Sequence, residues 1–197
     1  MRAPARWTPA CPWRGWRGAL QRWGLAPVKD PLTLLAGFEL LLEAQPAAHL
    51  TMVYGEADLL PQVEARLAAS ARLRERVTFH GFRTQAELAG FYRAAQLLVV
   101  TSRHEAGPVV ALEAAAWGVP SVGSHVGHLA DGAGSWSATV PPGDAGALAA
   151  AVLALLRDPA RRARLGRAAR VWALANDADA TARRFEGLYR RLLAEGA

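Results

Sequence analysis

QLLVVTSRHEAGPVVALEAAAWGVPSVG, residues 96–123, is the stretch that decides the architecture. Residues 96–101 form a continuous apolar run, the pattern of a strand buried on both faces of a parallel sheet. The polar loop SRHEAG follows. Pro108 then starts a helix, because its fixed φ suits the first turn and its missing N–H is not needed there. Gly118 stops that helix, and residues 119–122 read as the next strand. A buried strand, a short loop, a helix and a second strand predict one parallel crossover unit.

The same alternation extends in both directions. Asp30-Pro31 is a helix start, with a capping carboxylate and Pro in the first turn. Leu34, Leu35, Phe38, Leu41 and Leu42 mark its buried face. Residues 49–54 (HLTMVY) read as a strand ending at Gly55, residues 60–71 as a helix, and residues 77–80 (VTFH) as a short strand ending at Gly81. Thr84 and Glu87 form a capping-box pair that opens a helix running to about Ala95. A short strand at 137–140 and helices near 144–156, 159–175 and 178–194 close the chain. The expected fold class is α/β: a single three-layer domain over residues 25–197, with a parallel sheet and helices on both faces. Residues 1–24, rich in Arg, Trp and Pro, read as an irregular leader, and residues 21–25 as a poor strand. Ligands of such sheets bind at the carboxyl ends of the strands. That edge comprises Gly55-Glu56, Gly81-Phe82-Arg83, residues 102–107 and residues 123–127.

Composition narrows the function classes. The chain has 197 residues, 52% hydrophobic and 20% charged, with a net charge of +6. Five arginines and no acid fall within residues 1–28, and removing those five from the 23 basic residues leaves 18 against 17 acidic ones. Duplex binding by counterion release needs clustered phosphate contacts, so a nucleic-acid partner is not expected. The longest apolar run, residues 145–156, is too short for a bilayer span of about 20 residues. The N-terminal segment has no apolar core of signal-peptide type. A cytoplasmic protein is expected, with a peripheral place at the inner membrane as the alternative. Cys11 is the single cysteine, so neither an internal disulfide nor a multi-thiolate metal site is available.

The loop and helix after residue 101 carry the chemistry. Glu105 stands in the loop and Glu113 inside the helix, seven residues between them. Gly107 lies just before the helix start, where unpaired first-turn N–H groups and about half a positive charge suit a phosphate. A carboxylate inside that helix would repel the phosphate but can accept two hydroxyl donors of a ribose, each bond worth about 1.5–3 kcal/mol. A nucleotide meets both demands. No spacing of His and acidic residues argues for a metal.

At these residues the chain resembles the retaining family 4 glycosyltransferases, in the donor-binding, C-terminal half of their GT-B fold, whose unit is Rossmann-like. The likeness covers about residues 25–193, from LAPVKDPLTLLAGF through VTFHGF and QLLVVTSRHEAG to VPPGDAGALAAAVLALLRD and FEGLYRRLL. The resemblance implies transfer of a glycosyl group from a nucleotide sugar, with retention, to an acceptor whose binding domain would be a missing N-terminal half. No cofactor beyond the nucleotide-sugar substrate is implied. Glu105 would be the catalytic carboxylate at the donor sugar hydroxyls, and Glu113 the ribose ligand. Lys29, the only lysine of the chain, matches the diphosphate-binding lysine. Gly81, Phe82 and Arg83 would border the nucleobase, and Gly107, Val109 and Val110 would present backbone to sugar or phosphate.

Three positions depart from the family pattern. Gly24 stands where an Arg is usual, Pro108 interrupts a Gly-aromatic-Gly run, and residues 21–25 are a weak first strand. A complete enzyme of this type has two such domains, and this chain has room for one. The alternatives are a non-catalytic nucleotide-sugar-binding fragment that needs a partner domain, and a nucleotide-sugar epimerase. His49 and His80 read as structural, His104 as solvated, and His125 and His128 as flanking Gly127 on the ligand edge.

Overall fold

The computed structural model describes residues 18–22 and 24–195. Among them, six strands form one parallel sheet in the order β3-β2-β1-β4-β5-β6. The strands are β1 (Gly18–Arg22), β2 (His49–Val53), β3 (Val77–His80), β4 (Leu97–Val100), β5 (Ser121–Ser124) and β6 (Ser137–Val140). Each joins the next through helix: α1 (Pro31–Ala44), α2 (Leu60–Ala68) and α3 (Ala71–Arg76), α4 (Gln85–Ala94), α5 (Val109–Ala116), and α6 (Gly127–Asp131). Then α7 (Ala145–Arg157), α8 (Pro159–Ala175) and α9 (Ala178–Glu195) follow β6.

The run QLLVVT works as expected. Leu97 and Val99 enter the core shared with α1 and α7, where Leu34, Leu35, Phe38, Leu148 and Val152 are buried. Leu98 and Val100 enter the opposite core, with Leu88 and Tyr92 of α4 and Val110, Ala111 and Ala114 of α5. Successive side chains of a strand point to opposite faces, so a strand covered on both faces must be apolar throughout. Leu97 and Leu98 are both fully buried, and burying each leucine contributes about 1.5–3 kcal/mol.

The N-terminal boundary differs from expectation. Residues 18–22, inside the span read as irregular leader, form β1 at the centre of the sheet, paired with β2 on one side and β4 on the other. Ala19 is buried in one core and Leu20 in the other. Two paired neighbours and two covering layers override the weak strand propensity of GALQR. Residues 1–17, with three of the tryptophans and Cys11, lie outside the described residues, as does Trp23.

Smaller differences have local causes. The helix expected over 60–71 is two, because Ser70 accepts from Leu73 N–H at 3.4 Å and caps α3. β5 starts two residues later than expected, after Pro120, which has no N–H for a central ladder. The short α6 went unforeseen.

After β3 the chain crosses to the other side of β1 and continues with β4. The connections leaving β1 and β4 therefore diverge, opening a crevice at their carboxyl ends.

Candidate functional site

Two loops meet at this crevice. After β1, residues Pro27–Lys29 form one 3₁₀ turn, and Asp30 follows with φ 48°. The left-handed conformation is tolerable for Asp because its short side chain bonds locally. Here it accepts from Thr33 N–H at 3.2 Å and from Thr33 Oγ1 at 2.8 Å, capping α1. The loop after β4 is fastened to this turn in three places. Thr101 Oγ1 donates to the Lys29 carbonyl at 3.0 Å. Arg103 N–H donates to the Val28 carbonyl at 2.8 Å, and Arg103 Nε lies 2.6 Å from Asp30 Oδ2.

The clamp brings Lys29 to Glu105. Lys29 Nζ is 2.5 Å from Glu105 Oε1, and both side chains are largely buried, at 16% and 10% exposure. Ser102 Oγ donates to the same oxygen at 2.7 Å. Beneath the loop, Gly127 starts α6 with φ 48°, and a Cβ there would stand 2.3 Å from the Ala106 carbonyl oxygen. Only glycine permits that approach.

Glu113 is held from α4. Tyr92 O–H donates to Oε2 at 2.7 Å, and Gln85 Nε2 donates to Oε1 at 3.0 Å. Gln85 and Tyr92 are two helical turns apart and share one face. That spacing is legible in the sequence, but it reads equally as a helix face turned to the core.

A cleft of about 480 Å³ joins these parts. Lys29, Phe82, Arg83, Val109, Val110 and Glu113 of the expected set line it, together with Gly24, Val53, Tyr54, Gly55 and Glu56. Glu105 is not among the lining residues; it stands behind Lys29 as that residue's ion-pair partner. Gly81 and Gly107 are not among the lining residues, and Gly107 faces the His128 ring instead. His125 and His128 are also outside it; they bond Thr139 at 3.0 Å and Asp131 at 3.2 Å. At the rim, Phe82 is 78% exposed and Val109 60%. Gly24 makes room for Glu56, since a Cβ at 24 would lie 2.7 Å from its Oε2 and 2.8 Å from its Cβ. The cleft thus carries two cations, Lys29 and Arg83, and two carboxylates, Glu56 and Glu113.

At the end of β3, burial, then Arg83, then His49 hold the His80 imidazole below its usual pKa, favouring its neutral form. Arg83 Nη2 lies 3.4 Å from its Nδ1. Among the described residues no group of three or more His, Cys, Asp or Glu is placed to hold a metal ion. No helix among them is long and apolar enough to cross a membrane.

The chemistry this arrangement offers is cationic and main-chain donors on one side and a held carboxylate on the other. The helix start at Val109 has no side-chain cap, although the Ala111 N–H of its first turn already donates to the Pro108 carbonyl at 2.9 Å.

Known proteins share this architecture. The chain is 33% identical over 156 residues to a D-inositol 3-phosphate glycosyltransferase of Streptomyces avermitilis, covering 74% of this chain and 33% of that protein. Its fold matches a sucrose-phosphate synthase from Thermosynechococcus elongatus with a TM-score of 0.76 at 30% identity, over 94% of this chain and 47% of that one. It also matches HepE of Anabaena, solved with UDP and glucose, with a TM-score of 0.70 at 23% identity, over 80% of this chain and 43% of that one. The chain therefore spans less than half the length of these relatives. Residues 18–158 match the family model described as glycosyl transferases group 1. With the six-stranded Rossmann-like sheet of a GT-B half and its acidic loop-helix segment in place, the chain belongs to the glycosyl transferases group 1 family.

Proposed function

We propose that this chain is the donor-binding half of a retaining glycosyltransferase whose donor is a nucleotide sugar. The observation that carries the reading is the convergence of Lys29, the uncapped start of α5 and Glu113 on one cleft. The helix start and Lys29 suit a diphosphate. Glu113, deeper in the same helix, suits the ribose diol, and Phe82 with Arg83 borders the base. Glu105 would face the sugar hydroxyls near the reacting carbon.

The Lys29–Glu105 pair supports a defined sequence of events. Each charge is neutralised by the other. A diphosphate arriving at α5 competes for the ammonium, and Glu105 then turns its oxygens to sugar hydroxyls. Departure of the diphosphate from the anomeric carbon is stabilised by Lys29 and the helix start. Excluding water and placing the acceptor fall to a second domain, and such positioning supplies much of the rate in transfers of this kind. The UDP and glucose of the HepE structure agree with a donor of this chemistry.

Calorimetric titration of UDP, GDP and ADP tests the reading. One of the three should bind the wild type, and Glu113→Ala should weaken it by about tenfold, the equivalent of one charge-assisted hydrogen bond. Equal binding by wild type and variant would remove the ribose assignment.

A further inference from the structure

We propose that Tyr92 is a positioning residue for Glu113, setting the direction of the carboxylate that takes the ribose; this rests on the reading of Glu113 given above. Tyr92 does not line the cleft. Its ring is buried, at 2% exposure, in the core formed with Leu88, Leu98, Val110 and Ala114. Its phenol reaches the edge of that core and donates to Glu113 Oε2 at 2.7 Å.

The arrangement has a physical consequence. A glutamate on a helix surface has three rotatable bonds and would sample solvent freely. Tyrosine has two, and a ring packed on all sides keeps its O–H in one place. A donor fixed in this way bonds the ionised carboxylate more strongly than a neutral acceptor and so selects one orientation of Glu113. Gln85 adds a second donor on Oε1, from the exposed first turn of α4. Gln85 also stands two residues after Arg83 of the base-side turn. Helix α4 thereby links the base end of the cleft to the ribose end.

The test compares whichever of UDP, GDP and ADP binds the wild type with its 2′-deoxy form. Tyr92→Phe removes only the hydroxyl and keeps the ring. It should weaken binding of the ribonucleotide about threefold, less than loss of the carboxylate itself, and weaken the deoxynucleotide, which keeps only the 3′ hydroxyl, by less, so that discrimination between the two shrinks. In the Glu113→Ala background the same change should have no further effect. Gln85→Ala, at an exposed site, should reduce discrimination about twofold without disturbing the core. A general packing defect would weaken both ligands alike. If Glu113→Ala loses discrimination while Tyr92→Phe keeps the wild-type value, the positioning role is wrong and the ribose reading survives. If Glu113→Ala keeps it, the ribose reading fails and takes the role of Tyr92 with it.

Discussion

The ammonium of Lys29 lies 2.5 Å from Oε1 of Glu105, joining the loop after β1 to the loop after β4 across the divide where the sheet reverses its winding. The two residues are 76 positions apart in the chain, and their meeting depends on three further bonds from Thr101 and Arg103 to residues 28–30.

The pair should be costly to break on one side. Lys29→Met leaves Glu105 with Ser102 as its remaining neighbour in the pair, and Glu105→Leu leaves a largely buried ammonium. Each single variant should lose about 2–3 kcal/mol of unfolding free energy in urea, and the double variant less than their sum. Strict additivity would show that the two charges do not interact in solution.

Asp30 carries the left-handed turn, the cap on α1 and the contact to Arg103 together. Asp30→Ala should cost about 2–3 kcal/mol, combining cap loss with a conformation that alanine resists. Asp30→Asn keeps the cap and tolerates the backbone, and should cost about 1 kcal/mol. Equal losses would mean that the charge contact to Arg103 dominates.

Acid should destabilise the fold from a mild pH. Burial, then Arg76, lowers the pKa of His49 below the usual 6.5, and burial, then Arg83 and His49, lowers that of His80. As pH falls below about 6.5 the unfolded chain takes up these protons before the folded one, so stability declines until the folded histidines titrate too. His49→Gln with His80→Gln should flatten the decline between pH 7 and 5 in thermal melts. At lower pH, Glu87, held below its usual 4.5 by the Thr84 backbone N–H and then the Thr84 hydroxyl, adds its own loss as it protonates. A slope unchanged in the double variant would place the acid sensitivity elsewhere.

How far the amino-acid order discloses this molecule depends on how local each interaction is. QLLVVT declares a doubly covered strand because four apolar residues in a row, Leu97 to Val100, bounded by loop signals have few other uses. Thr84 and Glu87 declare a helix start because both partners of the box lie three residues apart, and both bonds form. GALQR conceals the central strand, because what holds it is pairing to residues 49–53 and 97–98 rather than its own composition. The candidate site divides the same way. Lys29, Glu105 and Glu113 stand out through the motif around them. The clamp on Glu113 does not, because the spacing of Gln85 and Tyr92 looks like ordinary core periodicity. Glu56 went unremarked as a partner of Gly24, since only the folded loop brings them together.

The division of labour in the cleft is most directly tested by one crossed calorimetric experiment. Wild type, Lys29→Ala and Glu113→Ala are each titrated with a nucleoside diphosphate, the matching monophosphate and the 2′-deoxy diphosphate. Loss of the preference for diphosphate over monophosphate in Lys29→Ala alone, and of the preference for ribose over deoxyribose in Glu113→Ala alone, is the predicted outcome. Both preferences surviving in both variants would contradict it.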